Sequence, residues 1–194
     1  MQAEAAVREV FSLYKQFGEG SYIGEQVTQA QHALQAAHLA QKEGWPPQVV
    51  LGALLHDVGH LVGQRDNLAP MMTKGTTLGT PRHEVVGEEY LKGLGFPEEV
   101  TSFVRNHVEA KRFLVATDHE YYQGLSDASK MTLTHQGGPM MEGEVAAFKT
   151  SPHFKAAVRM RGWDEAAKDP MAQTPALEEF EALCLAYLKE AAKK

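Results

Sequence analysis

The sequence predicts an all-α protein. Three observations carry this reading. Apolar residues recur at helical spacing nearly throughout, no stretch alternates as a strand would, and proline and glycine fall where helices start and stop.

Val7, Val10, Phe11 and Tyr14 mark one face of a first helix, closed by Gly18 and Gly20. A second, alanine-rich helix is expected from about Gly24 to Glu43, with Gly44 as its stop. Pro46 and Pro47 suit the first turn of a third, where a missing amide hydrogen costs nothing. That helix carries Val49, Val50, Leu54 and Leu55 and ends near Asp57-Val58-Gly59. Residues 61–80 read as irregular, broken by Gly63, Pro70, Gly75 and Gly79. A loop of that length is more often functional than idle. Pro81 opens a helix through Leu94, stopped by Gly95, and Pro97 opens the next, through His107. Shorter helices follow around 111–117 and 126–134, then a turn at Gly137-Gly138-Pro139. Ser151-Pro152 reads as an N-cap with proline at the first helical position, starting a helix that carries Arg161 and Asp164. A last helix, from about Leu177 to Ala192, packs Leu183, Tyr187 and Leu188. With no repeat, low-complexity tract or linker, residues 1–194 read as one domain.

Composition narrows the function. The net charge of −6 argues against nucleic acid as the partner, because phosphate backbones want a basic footprint. It leaves room for a small anionic substrate held by a few local cations. The single cysteine, Cys184, lies among apolar neighbours and reads as a buried thiol in a reducing compartment. The first residues lack the apolar core of a signal peptide, and no apolar run approaches the roughly 20 residues that span a bilayer. A soluble, cytoplasmic protein without a membrane partner is expected; the oligomeric state is not written in the sequence.

Nine histidines are many for 194 residues. The strongest local signal is Leu54-Leu55-His56-Asp57-Val58-Gly59-His60. An imidazole and a carboxylate side by side at a helix end can serve one site, and the carboxylate can also bridge two cations. Alone, the pair could equally be a surface turn. Its flanks shift the balance: His32 lies on the preceding helix, His83 on the following one and His107 on the next. Histidines on successive helices converge in bundle interiors, where di-metal sites are built. Four His and two Asp provide about three donors per metal, which leaves positions open for chemistry. Tyr22, Glu25, Gln29 and His32, three, four and three apart, would form one polar stripe of the second helix, facing the metals or else solvent. His107 with Lys111, and Arg161 with Asp164, each set a candidate ligand beside a cation on one helix face. Metals and an oxyanion held together need that pairing.

The order His32, His56-Asp57, His83, His107, Asp164 resembles the HD-domain superfamily, most of whose members are metal-dependent phosphohydrolases. Finer matches are more specific. Tyr22-Ile23-Gly24-Glu25, His107-Val108-Glu109-Ala110-Lys111-Arg112, Leu125-Ser126-Asp127-Ala128-Ser129, Gln136-Gly137-Gly138-Pro139-Met140 and Arg161-Gly162-Trp163-Asp164-Glu165 are similar to the small HD-domain di-iron oxygenases that cleave carbon–phosphorus bonds. The resemblance implies an HD-domain helical bundle with a di-metal site in its interior. Within it His32, His56, Asp57, His83, His107 and Asp164 would ligate two irons, as an Fe(II)/Fe(III) pair with Asp57 bridging. His60, Lys111, Ser126, Gln136 and Arg161 would grip a phosphonate. Tyr22 and Glu25 would form a gate, with Glu25 facing a positive nitrogen of the substrate. His38, His119, His135 and His153 match no ligand and take surface or core roles.

The implied reaction consumes O2 and cleaves a 1-hydroxyphosphonate to phosphate and a carboxylate. The segment from Leu61 to Arg82 is longer than in the family member that acts on a primary amine, and it contains Pro70-Met71-Met72. If the two methionines fold over the nitrogen end, polarizable walls favour 1-hydroxy-2-(trimethylammonio)ethylphosphonate, giving glycine betaine. The alternatives are the same reaction on 2-amino-1-hydroxyethylphosphonate, giving glycine, an HD-domain phosphohydrolase using metal-activated water, and a non-catalytic metal-binding module.

Overall fold

A computed structural model describes residues 2–193. Among them are eleven helices: α1 (Gln2–Phe17), α2 (Gln29–Lys42), α3 (Pro47–Leu55), α4 (Val58–Arg65), α5 (His83–Gly93), α6 (Glu98–Thr117), α7 (His119–Gly124), α8 (Asp127–His135), α9 (Glu142–Lys149), α10 (Phe154–Ala166) and α11 (Leu177–Ala191). The only strands among these residues are β1 (Met72–Thr73) and β2 (Thr76–Thr77), an antiparallel pair with Met72 opposite Thr77. The all-α expectation holds.

Helix α3 is the centre of the bundle. Every residue from Val49 to Leu55 is buried, as expected of a helix that is apolar all round. It packs against α2 on one side and α6 on another, while α10 spans α2 and α6 and α5 lies between α4 and α6. Helix α1 buries Val7, Val10, Phe11 and Tyr14, the face read from the sequence, and the Tyr14 hydroxyl donates to the Leu54 carbonyl at 2.7 Å. The main core joins these helices to α11 through Phe180, Cys184 and Leu188, and a smaller cluster of Phe113, Met140, Phe148 and Ala157 joins α6 to α9 and α10.

Several boundaries differ from expectation. Helix α2 starts at Gln29 because Thr28 caps it: the Thr28 hydroxyl accepts the Gln31 amide while the Gln31 side chain accepts the Thr28 amide. Tyr22 and Glu25 therefore lie in the preceding loop, and the four-residue polar stripe is not a helix face. The third helix ends at Leu55, before Asp57-Val58-Gly59, and a separate helix, α4, occupies the first part of the stretch read as irregular. Helix α5 begins at His83, two residues later than Pro81 suggested, and α6 runs unbroken past His107 to Thr117. Ser151 accepts the His153 amide in a turn, so α10 starts at Phe154. Helices α7 and α9 have no counterpart in the sequence reading; α7 is nucleated by Asp118, whose carboxylate accepts the Glu120 and Tyr121 amides.

Helices α4 and α5 touch through their backbones. A Cβ on Gly59 would lie 1.9 Å from the His83 carbonyl oxygen, and one on Gly87 would lie 3.0 Å from the Gly59 nitrogen. Gly59→Ala must push α5 away and carry His83 with it. A loss of about 3 kcal/mol is expected, read as a drop in Tm together with reduced metal content. A variant with wild-type Tm and metal content would show that this contact relaxes freely.

Candidate metal centre

Six buried side chains converge from separate parts of the bundle. His32 comes from the first turn of α2, His83 from the first residue of α5, His107 from the middle of α6 and Asp164 from the last turn of α10. His56 and Asp57 occupy the two-residue break between α3 and α4. There Asp57 leaves helical geometry (φ −101°, ψ 10°) and the chain turns enough to aim both side chains inward.

The donors form two groups, His32/His56/Asp164 and Asp57/His83/His107, each with three donor atoms within 4.8 Å of one another. Asp57 links them. Its Oδ2 is 3.3 Å from His56 Nε2 and 3.7 Å from His32 Nε2, and its Oδ1 is 3.3 Å from His83 Nε2 and 3.4 Å from His107 Nε2. One oxygen faces each group, as a bridging carboxylate requires.

The hydrogen bonds behind the rings test whether metals fit. His32, His56 and His107 each give Nδ1–H to a backbone carbonyl, of Ala167, Ala53 and Val104, at 2.9, 2.8 and 2.7 Å. With the proton on Nδ1, each Nε2 presents a lone pair to the site. His32 and His56 then face each other Nε2 to Nε2 at 3.1 Å, and His83 and His107 at 2.9 Å. On His32 and His56 two lone pairs at that range repel unless a proton or a metal ion lies between them, whereas His83, whose Nδ1 has no partner, can place its proton on Nε2 and donate to His107. Two donors about 2.1 Å from one ion and at a right angle would stand ~3 Å apart, so the spacing suits two metal ions. Charge agrees. Burial opposes a charged His56, but Asp57 and Asp164 outweigh it and hold the ring up at about 9, so the pocket calls for positive charge at that position. Burial likewise opposes the Asp164 and Asp57 carboxylates, yet Arg161 beside the first and His56 beside the second keep both anionic.

A cavity opens onto Asp57, His83, His107 and Asp164, lined further by Tyr22, Glu25, His60, Lys111, Gln136 and Arg161. Lys111 is buried and donates to the Thr132 hydroxyl at 2.9 Å. Burial, then the charge of Arg161, hold its ammonium down to about 7. His60 stacks on His83 with ring centres 4.1 Å apart, and its Nδ1 accepts the Thr80 amide at 3.0 Å, which leaves Nε2–H as its spare donor. Burial, then His83, hold His60 well below the ordinary imidazole range, so that ring is neutral. The Gln136 Oε1 is buried without a hydrogen-bond partner. Arg161 donates to Asp164, to Glu165 and, at 3.1 Å, to the Tyr121 hydroxyl. Ser126 stands apart: its hydroxyl caps α8 by accepting the Ser129 amide, and Ser129 and Thr132 line the cavity instead.

Tyr22 and Glu25 reach the cavity from a turn in which the Glu25 amide donates to the Tyr22 carbonyl at 3.0 Å. The Tyr22 ring stacks on His32 at 3.8 Å, and burial, then Asp57, keep its phenol protonated. Glu25 pairs with Lys168 Nζ at 3.0 Å, and the same ammonium is 3.3 Å from Glu165. Lys168, Tyr121 and Thr132 were absent from the sequence reading, and Ser129 entered it only as the last residue of a motif; for Lys168 the spacing of four from Asp164 was a hint. The methionines are a correction. Met71 is buried in a loop where its backbone pairs with Leu78 and Gly79, Met72 is 51% exposed, and neither lines this cavity. The hairpin holds them outside, tied to α8 through Thr73 and His135 at 2.7 Å. His38, His119, His135 and His153 belong to neither donor group. No helix among the described residues is long and apolar enough to cross a membrane.

The HD domain model matches residues 30–174. A [1-hydroxy-2-(trimethylamino)ethyl]phosphonate dioxygenase (glycine-betaine-forming) of Leisingera caerulea is 40% identical over 169 residues, 87% of this chain and 83% of that one. A hydroxymethylphosphonate dioxygenase of Gimesia maris is 37% identical over 175 residues, 90% and 84% of the two chains. An uncharacterized protein of Acanthamoeba polyphaga mimivirus is 35% identical over 184 residues, 95% and 82%. The chain belongs to the HD-domain family, and within it is similar to the dioxygenases that act on phosphonates.

Proposed function

We propose that this chain is a di-iron dioxygenase that cleaves the C–P bond of a 1-hydroxyphosphonate. The observation that carries the reading is Asp57, one oxygen to each donor group, beside a cavity with Lys111, His60 and Arg161 on its wall. The balanced reaction takes one substrate and one O2 to one carboxylate and one phosphate. Two irons, bound by the six donors, would supply the one-electron and oxygen chemistry. The residues themselves bind and orient. The Lys111 ammonium meets the oxyanion, and that negative charge raises its hold on its proton. His60 offers Nε2–H, Gln136 an amide, and Tyr22 closes the cavity over His32. The chain is read as one HD domain, and its lone buried thiol suits the cytoplasm.

The group attached to C1 has two readings: one ends in a positive nitrogen on C2, and the other carries no charge. A trimethylammonium group is favoured by Glu25 and the Tyr22 ring on the cavity wall and by the relative that is 40% identical; a primary ammonium would use the same carboxylate. A substituent without charge is favoured by Lys168, which already occupies Glu25 and would keep it. Hydroxymethylphosphonate, the substrate in the Gimesia relative's name, is of that kind. The test is kcat/KM for all three compounds on one iron-loaded preparation, with oxygen uptake and phosphate release followed together. We expect equal amounts of both, and a preference of tenfold or more, about 1.4 kcal/mol, for the trimethylammonium compound. A tenfold preference for hydroxymethylphosphonate would transfer the specificity to the Glu25–Lys168 pair. Phosphate released from esters without oxygen uptake would make the protein a phosphohydrolase.

A further inference from the structure

Three of the four ligand histidines are oriented by backbone carbonyls. For His56 and His107 the carbonyl is that of the residue three earlier on the same helical stretch. His83 has no such option. It is the first residue of α5, preceded by Arg82 in left-handed geometry (φ 52°), so the residue three earlier, Thr80, lies outside the helix. Its Nδ1 is buried and lacks a hydrogen-bond partner. So does Glu84 Oε2, and the two lie 3.8 Å apart, with side chains 5% and 15% exposed. Two buried groups of complementary chemistry are thus left facing each other just beyond bonding distance, each costly while unpaired.

We propose that Glu84 is the positioning residue of His83, accepting Nδ1–H when a metal occupies Nε2. A small rotation of the imidazole closes the gap. The first turn of α5 suits this carboxylate, because the helix dipole favours negative charge there. The two metal positions are then unequal. The Asp57/His83/His107 position is backed by a charged acceptor, whereas the histidines of the His32/His56/Asp164 position are backed by neutral carbonyls alone. Glu84 governs one metal and leaves the other alone.

The inference rests on the two-metal part of the proposed function and not on its substrate, so it is tested without substrate or oxygen. Metal-free protein is titrated anaerobically with Co(II), followed by visible absorption and calorimetry, for wild type, Glu84→Ala, Glu84→Gln and Glu88→Ala. Glu88 is on the same helix and pairs with Lys92, so it reports on damage to α5 alone. Wild type and Glu88→Ala should bind two ions. Glu84→Ala should keep one position intact and weaken the other 10–100-fold, the usual effect of removing an outer carboxylate. Glu84→Gln, which retains an acceptor but no charge, should fall between. Two undiminished sites in Glu84→Ala would overturn the inference and leave the two-metal reading standing. Equal weakening of both sites, or a matching loss in Glu88→Ala, would show that α5 merely supports the fold. Fewer than two ions in wild type would overturn both readings.

Discussion

Asp57→Asn is expected to empty both metal positions and abolish activity in one step. The substitution keeps the size and shape of the side chain, so the break between α3 and α4 should survive. It removes the charge and replaces one oxygen by an NH2 that presents hydrogens. Whichever group meets the NH2, His32 and His56 or His83 and His107, would face a donor where it needs a shared anion. The other group keeps a neutral oxygen, a poor ligand beside a second cation. A fall in kcat/KM on the order of 10³-fold or more is expected, at least about 4 kcal/mol of transition-state stabilisation. Metal analysis per chain, with circular dichroism as the check on folding, reads the cause directly. An Asp57→Asn protein that retained two ions would remove Asp57 from its bridging place.

Lys111→Met should behave in the opposite way: both ions retained, substrate binding lost and the metal-free protein made more stable. Lys111 touches the Thr132 hydroxyl and belongs to neither donor group, so metal content should not change. Removing its charge from the oxyanion should lower kcat/KM by on the order of 10²-fold, about 3 kcal/mol. Stability moves the other way because the ammonium is buried. In the fold it keeps its proton only up to about 7, whereas an unfolded lysine keeps it to about 10.4. Between those values the unfolded chain binds more protons, so this group makes stability rise with pH across that window. Below about 7 the penalty is complete. Lys111→Met should therefore raise Tm most at pH 7 and below, by the equivalent of ~1–3 kcal/mol, and the gain should fade toward pH 10. A lower Tm at pH 7 would mean that the bond to Thr132 outweighs the cost of burial.

The helices around the donor cluster were legible because they obey simple rules. Val7, Val10, Phe11 and Tyr14 keep one face, α3 is apolar throughout, and Gly95 and Pro97 punctuate as expected. The histidines stood out as candidate donors because they recur on successive helices, and the structure buries His32, His56, His83 and His107 side by side. Where the reading failed, a local competitor won. Thr28-Gln29-Ala30-Gln31 has the form of a capping box, and that cap sets the start of α2 against the alanine-rich pattern that seemed to extend to Gly24. Tyr22 and Glu25 reach the cavity all the same, through a turn that helical spacing could not describe. Gly59 and Gly63 looked like breakers, but each lies inside α4 where another segment approaches too closely for a side chain. Lys168 and the methionines depend on loop paths, and no periodicity encodes a loop path.

The order of the donors along the chain bears on how the protein is made. Asp57, His83 and His107 are all translated before α7 begins, whereas the other group waits for Asp164, the last of the six. A ribosome releases the chain from its N-terminus, and packed units form as they emerge. The position behind Asp57, His83 and His107 can therefore take an ion while α10 is still inside the exit tunnel. A nascent chain stalled shortly after Thr117 emerges is expected to carry one ion, and a released chain two.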